Sequence, residues 1–106
     1  MAIVAVSISP VGEGASVSHY VAAAVQVVRG QSRVKARLDP MFTTLEGDLD
    51  DIFALIRVMQ EAVFEAGAVR VSSVIKIDDR RDRDVSMEAK LEAVEQLLRE
   101  SAEDAD

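Results

Sequence analysis

The order in which two hydrophobic periodicities follow one another is the feature that most restricts the fold of this chain. Four segments rich in β-branched or alternating apolar residues are typical of strands, and three others repeat apolar residues at helical spacing. Their order is strand, helix, strand, strand, helix, strand and a final helix. It predicts a ferredoxin-like α+β sandwich, βαββαβ: a four-stranded antiparallel sheet with two helices on one face, and an additional C-terminal helix.

Turn and capping residues set the expected boundaries of these elements. The predicted strands cover residues 3–8, 33–38, 42–46 and 69–77. The predicted helix boundaries are Ser16 or Ser18 to Gly30, Asp48 to Gly67, and Ser86 onward. In the second helix, the residues expected to form the buried stripe are Leu49, Ile52, Phe53, Ile56, Met59 and Val63. In the last helix, the residues that share one face are Met87, Leu91, Val94 and Leu98.

The length of 106 residues predicts a single domain, residues 1–106, because two cores would each be too small to be stable. Within it we expect a core over about 2–78, the C-terminal helix over about 86–102 and an acidic tail over 103–106. Leu97 and Leu98 exceed what a small sandwich can bury, so part of the last helix is expected to lie at a subunit interface.

Charge and cysteine content exclude several classes of function. The net charge of −7 disfavours nucleic acids and anionic membranes as partners and is compatible with a cationic ligand. Cysteine is absent, which excludes disulfides, thiolate metal sites and cysteine nucleophiles. The apolar start of the chain lacks the basic residues of a signal peptide. We therefore expect a cytoplasmic protein.

The sheet face opposite the helices is the natural place to look for a site. Alternation places Val4, Val6 and Ile8 toward the helices, and it favours Val71, Ile75 and Ile77 as core residues of the last strand. The side chains then expected on the open face include Ser7, Ser9, Phe42, Thr44, Glu46, Ser72, Val74 and Lys76. This face is either solvated or packed against another subunit, or Glu46, Thr44, Ser7 and Lys76 converge on a small polar ligand.

Other candidate residues favour a binding protein over an enzyme. His19, the only histidine, falls on the outward side of the first helix, and no nucleophile has a plausible base. Tyr20 can bury its ring while its hydroxyl stays near the sheet edge. Asp78 to Asp84 lack the glycine and glutamate of an EF-hand loop and alternate with arginines, so no metal site is expected. The glycines at 12 and 14 match no phosphate-binding fingerprint.

Several short motifs, in order and over most of the chain, resemble the small thiamine-binding-protein family. The matching segments are Ser9–Gly12, Ser18–Ala22, Pro40–Met41, Leu45–Leu49, Glu65–Gly67, Ile75–Arg81 and Met87–Lys90. The resemblance implies a ferredoxin-like fold, assembly into dimers or tetramers, and, for some members, binding of thiamine or its hydroxymethylpyrimidine part. The chain departs from the family at Phe42, where a glycine is common, and at Ala36, where an aromatic residue is common.

The resemblance also implies a role for individual residues. Glu46 is the candidate to pair with an aminopyrimidine, while Thr44, Ser7 and Ser9 complete the polar contacts. Phe42 either fills the pocket or stacks on the pyrimidine ring. We therefore expect a non-catalytic, homo-oligomeric protein whose ligand is thiamine or hydroxymethylpyrimidine, with no other cofactor. The alternative is a structural or regulatory interaction module that binds no metabolite.

Overall fold

A computed structural model describes residues 1–84 and 86–104 of the chain. Its strands are β1 Ala2–Pro10, β2 Lys35–Leu38, β3 Thr43–Gly47 and β4 Val71–Asp79, and its helices are α1 Ser18–Arg29, α2 Leu49–Glu65 and α3 Met87–Asp104. Each predicted element is present. No helix among the described residues is both long enough and apolar enough to cross a membrane.

The four strands form one antiparallel sheet in the order β2-β3-β1-β4. This is the strand order that two interleaved right-handed βαβ units produce, so the predicted ferredoxin-like fold is confirmed. β1 lies in the centre and pairs with β3 through Ala2 to Val6 and with β4 along its whole length. β2 and β4 are the two edges of the sheet.

Strict alternation in β1 separates the helix-covered face from the open one. Val4, Val6 and Ile8 are buried under the helices, as predicted, whereas the residues between them are only partly buried. Leu45, Ile52, Met59 and Val63 complete the centre of the core.

The first helix starts differently from the prediction. Its N-cap is Val17, which offers no side-chain hydrogen bond, so neither Ser16 nor Ser18 caps it. Tyr20 is buried in the core with Ala24 and Val28. His19 is exposed, as predicted.

The second helix begins as predicted, because the Asp48 carboxylate accepts hydrogen bonds from the backbone N–H groups of Asp50 and Asp51. Its predicted buried stripe is wrong at one position. Phe53 remains 44% exposed, and Leu55 is buried instead. The buried stripe of α2 must be wide enough to face both α1 and the sheet. Leu55 and Phe53 lie at opposite margins of this stripe, and only the margin that carries Leu55 is covered.

The edge strand β4 is less well covered than its sequence suggests. Ile75 and Ile77 point to the helix side, because they pair with Val6 and Val4, yet they are 38% and 42% exposed. The prediction that these two residues are buried in the core is therefore wrong. On the helix side of this edge, the Gln60 side-chain amide of α2 donates to the Ser73 hydroxyl at 3.0 Å.

The last helix is packed against the body of the protein at its start. Ser86 caps it, since its hydroxyl accepts from the Ala89 N–H, and Met87 is buried. Every residue from Glu88 to Glu103 is exposed. The helix runs to Asp104, two residues past its expected end at about 102, and the last two residues of the expected acidic tail lie outside the described residues.

Candidate functional site

The residues predicted for the open face do share it. Ala5 pairs with Thr44 on one side and with Lys76 on the other, which places these three side chains in one row across the sheet. Neighbouring strands are about 5 Å apart, so Thr44 and Lys76 are separated by about 10 Å. Ser7 pairs with Val74 and Ser9 with Ser72, which confirms the predicted facing of β4.

A cleft opens where β3 begins. The first residue of β3, Thr43, pairs with Val6, so within the described part of the chain residues Ser7 to Pro10 of β1 have no strand partner on that side. The β2–β3 turn and α1 border the resulting gap, which has a volume of about 290 Å³. The residues around it include Ser7, Ser9, Val17, Val21, Leu38, Asp39, Met41 and Phe42.

This cleft brings together three of the predicted site residues, Ser7, Ser9 and Phe42. Ser7 and Ser9 belong to the strand, and the half-buried Phe42 belongs to the turn. Valines of α1 supply an apolar wall. The arrangement combines an aromatic surface with a few polar groups, which is the usual composition of a small-molecule site.

Asp39 is a polar residue of this cleft that the sequence analysis did not single out. Its Oδ2 accepts a hydrogen bond from the Thr44 hydroxyl at 3.0 Å, and Arg37 Nε lies 3.2 Å from Oδ1. Thr44 is thereby linked to the cleft through Asp39. From the sequence, the Asp39-Pro40 pair indicated only a turn. The signal that could have identified Asp39 as a site residue was Thr44, a hydrogen-bond donor five residues later on the opposite strand of the hairpin.

Glu46 lies away from the cleft and has a different partner. Its Oε1 accepts a hydrogen bond from the backbone N–H of Met87 at 2.6 Å, and the residue is 7% exposed. The carboxylate thus completes the start of α3. A ligand contact by Glu46 stays a prediction, and such a ligand would have to share the carboxylate with Met87.

The two remaining predicted residues are also separate from the cleft. Lys76 is exposed on the open face of β4. The Tyr20 hydroxyl donates to Glu13 Oε2 at 3.0 Å. Burial of the ring, followed by the hydrogen bond and the negative charge of Glu13, raises the pKa of Tyr20. Their ligand contacts stay predictions.

A second cavity, of about 550 Å³, lies between the start of β1, the loop after β4 and α3. Its charged lining residues are Asp78, Arg80, Arg83, Asp84, Lys90 and Glu92. Positive and negative groups balance, and Lys90 pairs with Asp78 while Arg80 pairs with Asp82. None of the seven predicted residues is among its described lining residues, and it has no aromatic wall. The smaller cleft is therefore the better candidate.

Comparison with known proteins places the chain in a group of small proteins of nearly the same length. The family model described as thiamine-binding protein matches residues 4–95. The UPF0045 protein YqgV of Bacillus subtilis is 44% identical over 102 residues, which cover 92% of this chain and 98% of the relative.

Solved structures of similar proteins have the same fold. The hypothetical protein MJ1052 of Methanocaldococcus jannaschii superposes with a TM-score of 0.81 at 40% identity, covering 88% of this chain and 94% of the other. A Thermotoga maritima protein, whose name proposes a role in thiamine biosynthesis or salvage, has a TM-score of 0.73 over 88% of this chain and 97% of its own. At 19% identity it supports the fold alone. From the family match and the close relatives, this chain belongs to the thiamine-binding protein family.

Proposed function

We propose that the chain binds thiamine or its hydroxymethylpyrimidine part, without catalysis, in the cleft beside the start of β3. The observation that carries this proposal is the meeting of Asp39, Phe42, Ser7 and Ser9 in one cleft of a chain from this family. The cleft volume of about 290 Å³ is at the lower end of the range for small-molecule sites. It suits a ligand of one or two rings.

Each part of such a ligand has a matching group. The amine and ring nitrogen of an aminopyrimidine can pair with the Asp39 carboxylate, which has about four acceptor positions and can keep its bond from Thr44. Phe42 offers a ring face for stacking. The thiazolium of thiamine is a cation, and the net charge of −7 favours its approach.

The ion pair between Arg37 and Asp39 does not prevent this role. Arg37 has a side chain that is 45% exposed, and exposed ion pairs contribute little to stability. The guanidinium can therefore move aside when a ligand amine approaches Asp39. Asp39 is the carboxylate we place on the pyrimidine, in preference to Glu46, because Asp39 lines the cleft and Glu46 does not.

We further propose that the chain forms homo-oligomers through α3. Leu91, Val94 and Leu98 are 51%, 55% and 58% exposed on one side of this helix. An exposed apolar stripe of this length on a projecting helix is typical of a protein–protein contact. The same stripe favours the second candidate function, an interaction module that binds no metabolite.

Isothermal titration calorimetry separates the two candidates. Thiamine and hydroxymethylpyrimidine are titrated separately into the protein and into the Asp39→Asn variant. Saturable binding that weakens at least tenfold in the variant, about 1.4 kcal/mol, is the expected result. Glu61→Gln is the matched control, because Glu61 also pairs with an arginine, Arg57 at 2.7 Å, but lies on α2 away from the cleft.

Two results would count against the ligand site. The absence of heat with either compound from a folded protein would favour the interaction module. Equal weakening in Asp39→Asn and Glu61→Gln would show a general effect of charge and would remove the cleft as the binding site.

A further inference from the structure

The four methionines of the chain differ widely in their exposure to solvent. Met59 and Met87 are 2% and 4% exposed, so solvent reaches little of either side chain. Met1 is 56% exposed and lies at the larger cavity beside α3. Met41, in the turn between β2 and β3, is 81% exposed. Packing of the core therefore does not account for a methionine at position 41.

The turn holds Met41 at the solvent side of the candidate cleft. The backbone N–H of Asp39 donates to the carbonyl of Phe42 at 2.9 Å, which leaves Pro40 and Met41 at the tip of the turn. Met41 and Met59 both line the cleft. Because Met59 is buried and Met41 is exposed, the same cleft has one methionine that dissolved molecules can reach and one that they cannot.

The composition of the chain makes an exposed methionine the side chain that oxidants modify first. Cysteine and tryptophan are both absent. Cysteine thiolates would otherwise compete for an oxidant such as a peroxide, and methionine oxidation to the sulfoxide is the common lesion that remains. Access of a dissolved oxidant depends on exposure, which favours Met41 over Met59 and Met87.

We propose that Met41 is a site of reversible oxidation to methionine sulfoxide by peroxides, and that this modification weakens ligand binding in the cleft. The first part rests on the exposure of Met41, and the second part rests on the proposed function. A lone pair of the sulfur attacks one oxygen of hydrogen peroxide, and the S–O bond forms as the O–O bond breaks. The leaving hydroxide takes the proton of the transferred oxygen and becomes water. The sulfur loses two electrons and the peroxide gains them.

Oxidation changes the chemistry of the cleft wall at this one position. The thioether is apolar and polarisable, and it makes favourable contacts with aromatic rings. The sulfoxide is polar and chiral, and it favours hydration over contact with a ring. A heteroaromatic ligand beside Phe42 would therefore meet a hydrated group in place of an apolar one. Loss of one sulfur–aromatic contact predicts an affinity that is lower by about three- to tenfold.

The sequence allows the oxidation of each methionine to be measured separately, because cleavage after lysine and arginine by trypsin places each methionine on its own peptide. The folded protein is treated with hydrogen peroxide, and the addition of one oxygen atom to each peptide is followed by mass spectrometry. Met41 is expected to react at least about tenfold faster than Met59 and Met87. The same treatment in urea is expected to bring the rates together. Equal rates for Met41 and Met59 in the folded protein would overturn the proposal.

The effect on the cleft is measured by isothermal titration calorimetry with hydroxymethylpyrimidine and with thiamine. Affinity is expected to fall after peroxide treatment and to return after incubation with methionine sulfoxide reductase and dithiothreitol, which release the oxygen as water while two thiols form a disulfide. Met41→Leu is the matched control, because it keeps an apolar side chain of similar size without a sulfur and leaves Met1 open to oxidation. Peroxide is expected not to change the affinity of this variant. Met41→Gln is expected to bind as weakly as the oxidised protein without any treatment.

The outcomes separate this proposal from the proposed function. Unchanged affinity after complete oxidation of Met41 would overturn the effect on the cleft, and so would an equal loss of affinity in peroxide-treated Met41→Leu. The absence of heat from the untreated protein with either compound would overturn the proposed function and, with it, the effect on affinity. The peptide oxidation rates would still decide whether Met41 is the oxidised site.

Discussion

Glu46 and Met87 are 41 residues apart in the chain and are joined by a 2.6 Å hydrogen bond from the Met87 backbone N–H to Glu46 Oε1. The bond is buried on the open side of the sheet. It satisfies one of the N–H groups that the first turn of a helix leaves without a partner. It therefore fixes where α3 starts, and two exposed ion pairs, Lys35–Glu88 and Lys90–Asp78, lie on either side of it.

Replacing Glu46 by alanine is expected to lower the free energy of unfolding by about 1–3 kcal/mol, because the buried N–H of Met87 loses its acceptor. Glu46→Gln keeps an acceptor of the same shape and is expected to cost less. Urea denaturation followed by circular dichroism measures both values. Thiamine affinity is expected to stay unchanged in Glu46→Gln, since this residue does not line the cleft.

The two variants also separate the roles assigned to Glu46. A loss of ligand affinity in Glu46→Gln at unchanged stability would support the original prediction of a direct ligand contact. It would move the binding site from the cleft toward the start of α3.

Local patterns were enough to predict the elements of the fold, because alternation and caps are properties of neighbouring residues. The β1 facing and the Asp48 cap are confirmed for this reason. The cleft depends on register: only the pairing of Thr43 with Val6 reveals that Ser7 to Pro10 lack a second neighbour. The partner of Glu46 likewise depends on a long-range contact. Phe53 was misplaced because periodicity does not say which edge of a stripe the tertiary contacts cover.

Tyr20 provides a prediction that absorbance alone can check. The chain has one tyrosine and no tryptophan, so phenolate absorbance near 295 nm reports this residue without interference. Burial and Glu13 raise the pKa of Tyr20, so its titration midpoint is expected above the ordinary value of 10.0. Glu13→Gln is expected to lower the midpoint only in part, because burial is the larger cause. A midpoint at or below 10.0 in the folded protein would contradict the buried position of Tyr20.

The ion pairs at the start of α3 are expected to weaken in acid. Lys90 lowers the pKa of Asp78 and Lys35 lowers that of Glu88, mainly through direct hydrogen bonds. A carboxyl group with a lowered folded-state pKa stabilises the fold above its unfolded pKa, and this contribution is lost as the pH falls through the folded value. The docking of α3 is therefore expected to be complete near neutral pH and to weaken below about pH 4.

Carboxyl-carbon NMR titration tests the two pairs separately. Lys90→Ala is expected to return the pKa of Asp78 toward its ordinary value and to leave Glu88 unaffected. Lys35→Ala is expected to do the reverse. If both carboxyl groups moved together in either variant, α3 would be detaching as a unit, and the shifts could not be assigned to single partners.

The apolar stripe of α3 gives a prediction about assembly. Leu98 is 58% exposed, so replacing it by glutamate should leave the subunit folded while it places a charge on the surface assigned to the α3 contact. Analytical ultracentrifugation is expected to show a smaller assembly, because each buried leucine contributes about 1.5–3 kcal/mol. Gln96→Glu is the matched control: it adds the same charge two residues earlier, on the other side of the helix. If the two variants had the same mass as the unmodified protein, the stripe would not be an interface; if both dissociated, added charge on α3 would be the cause.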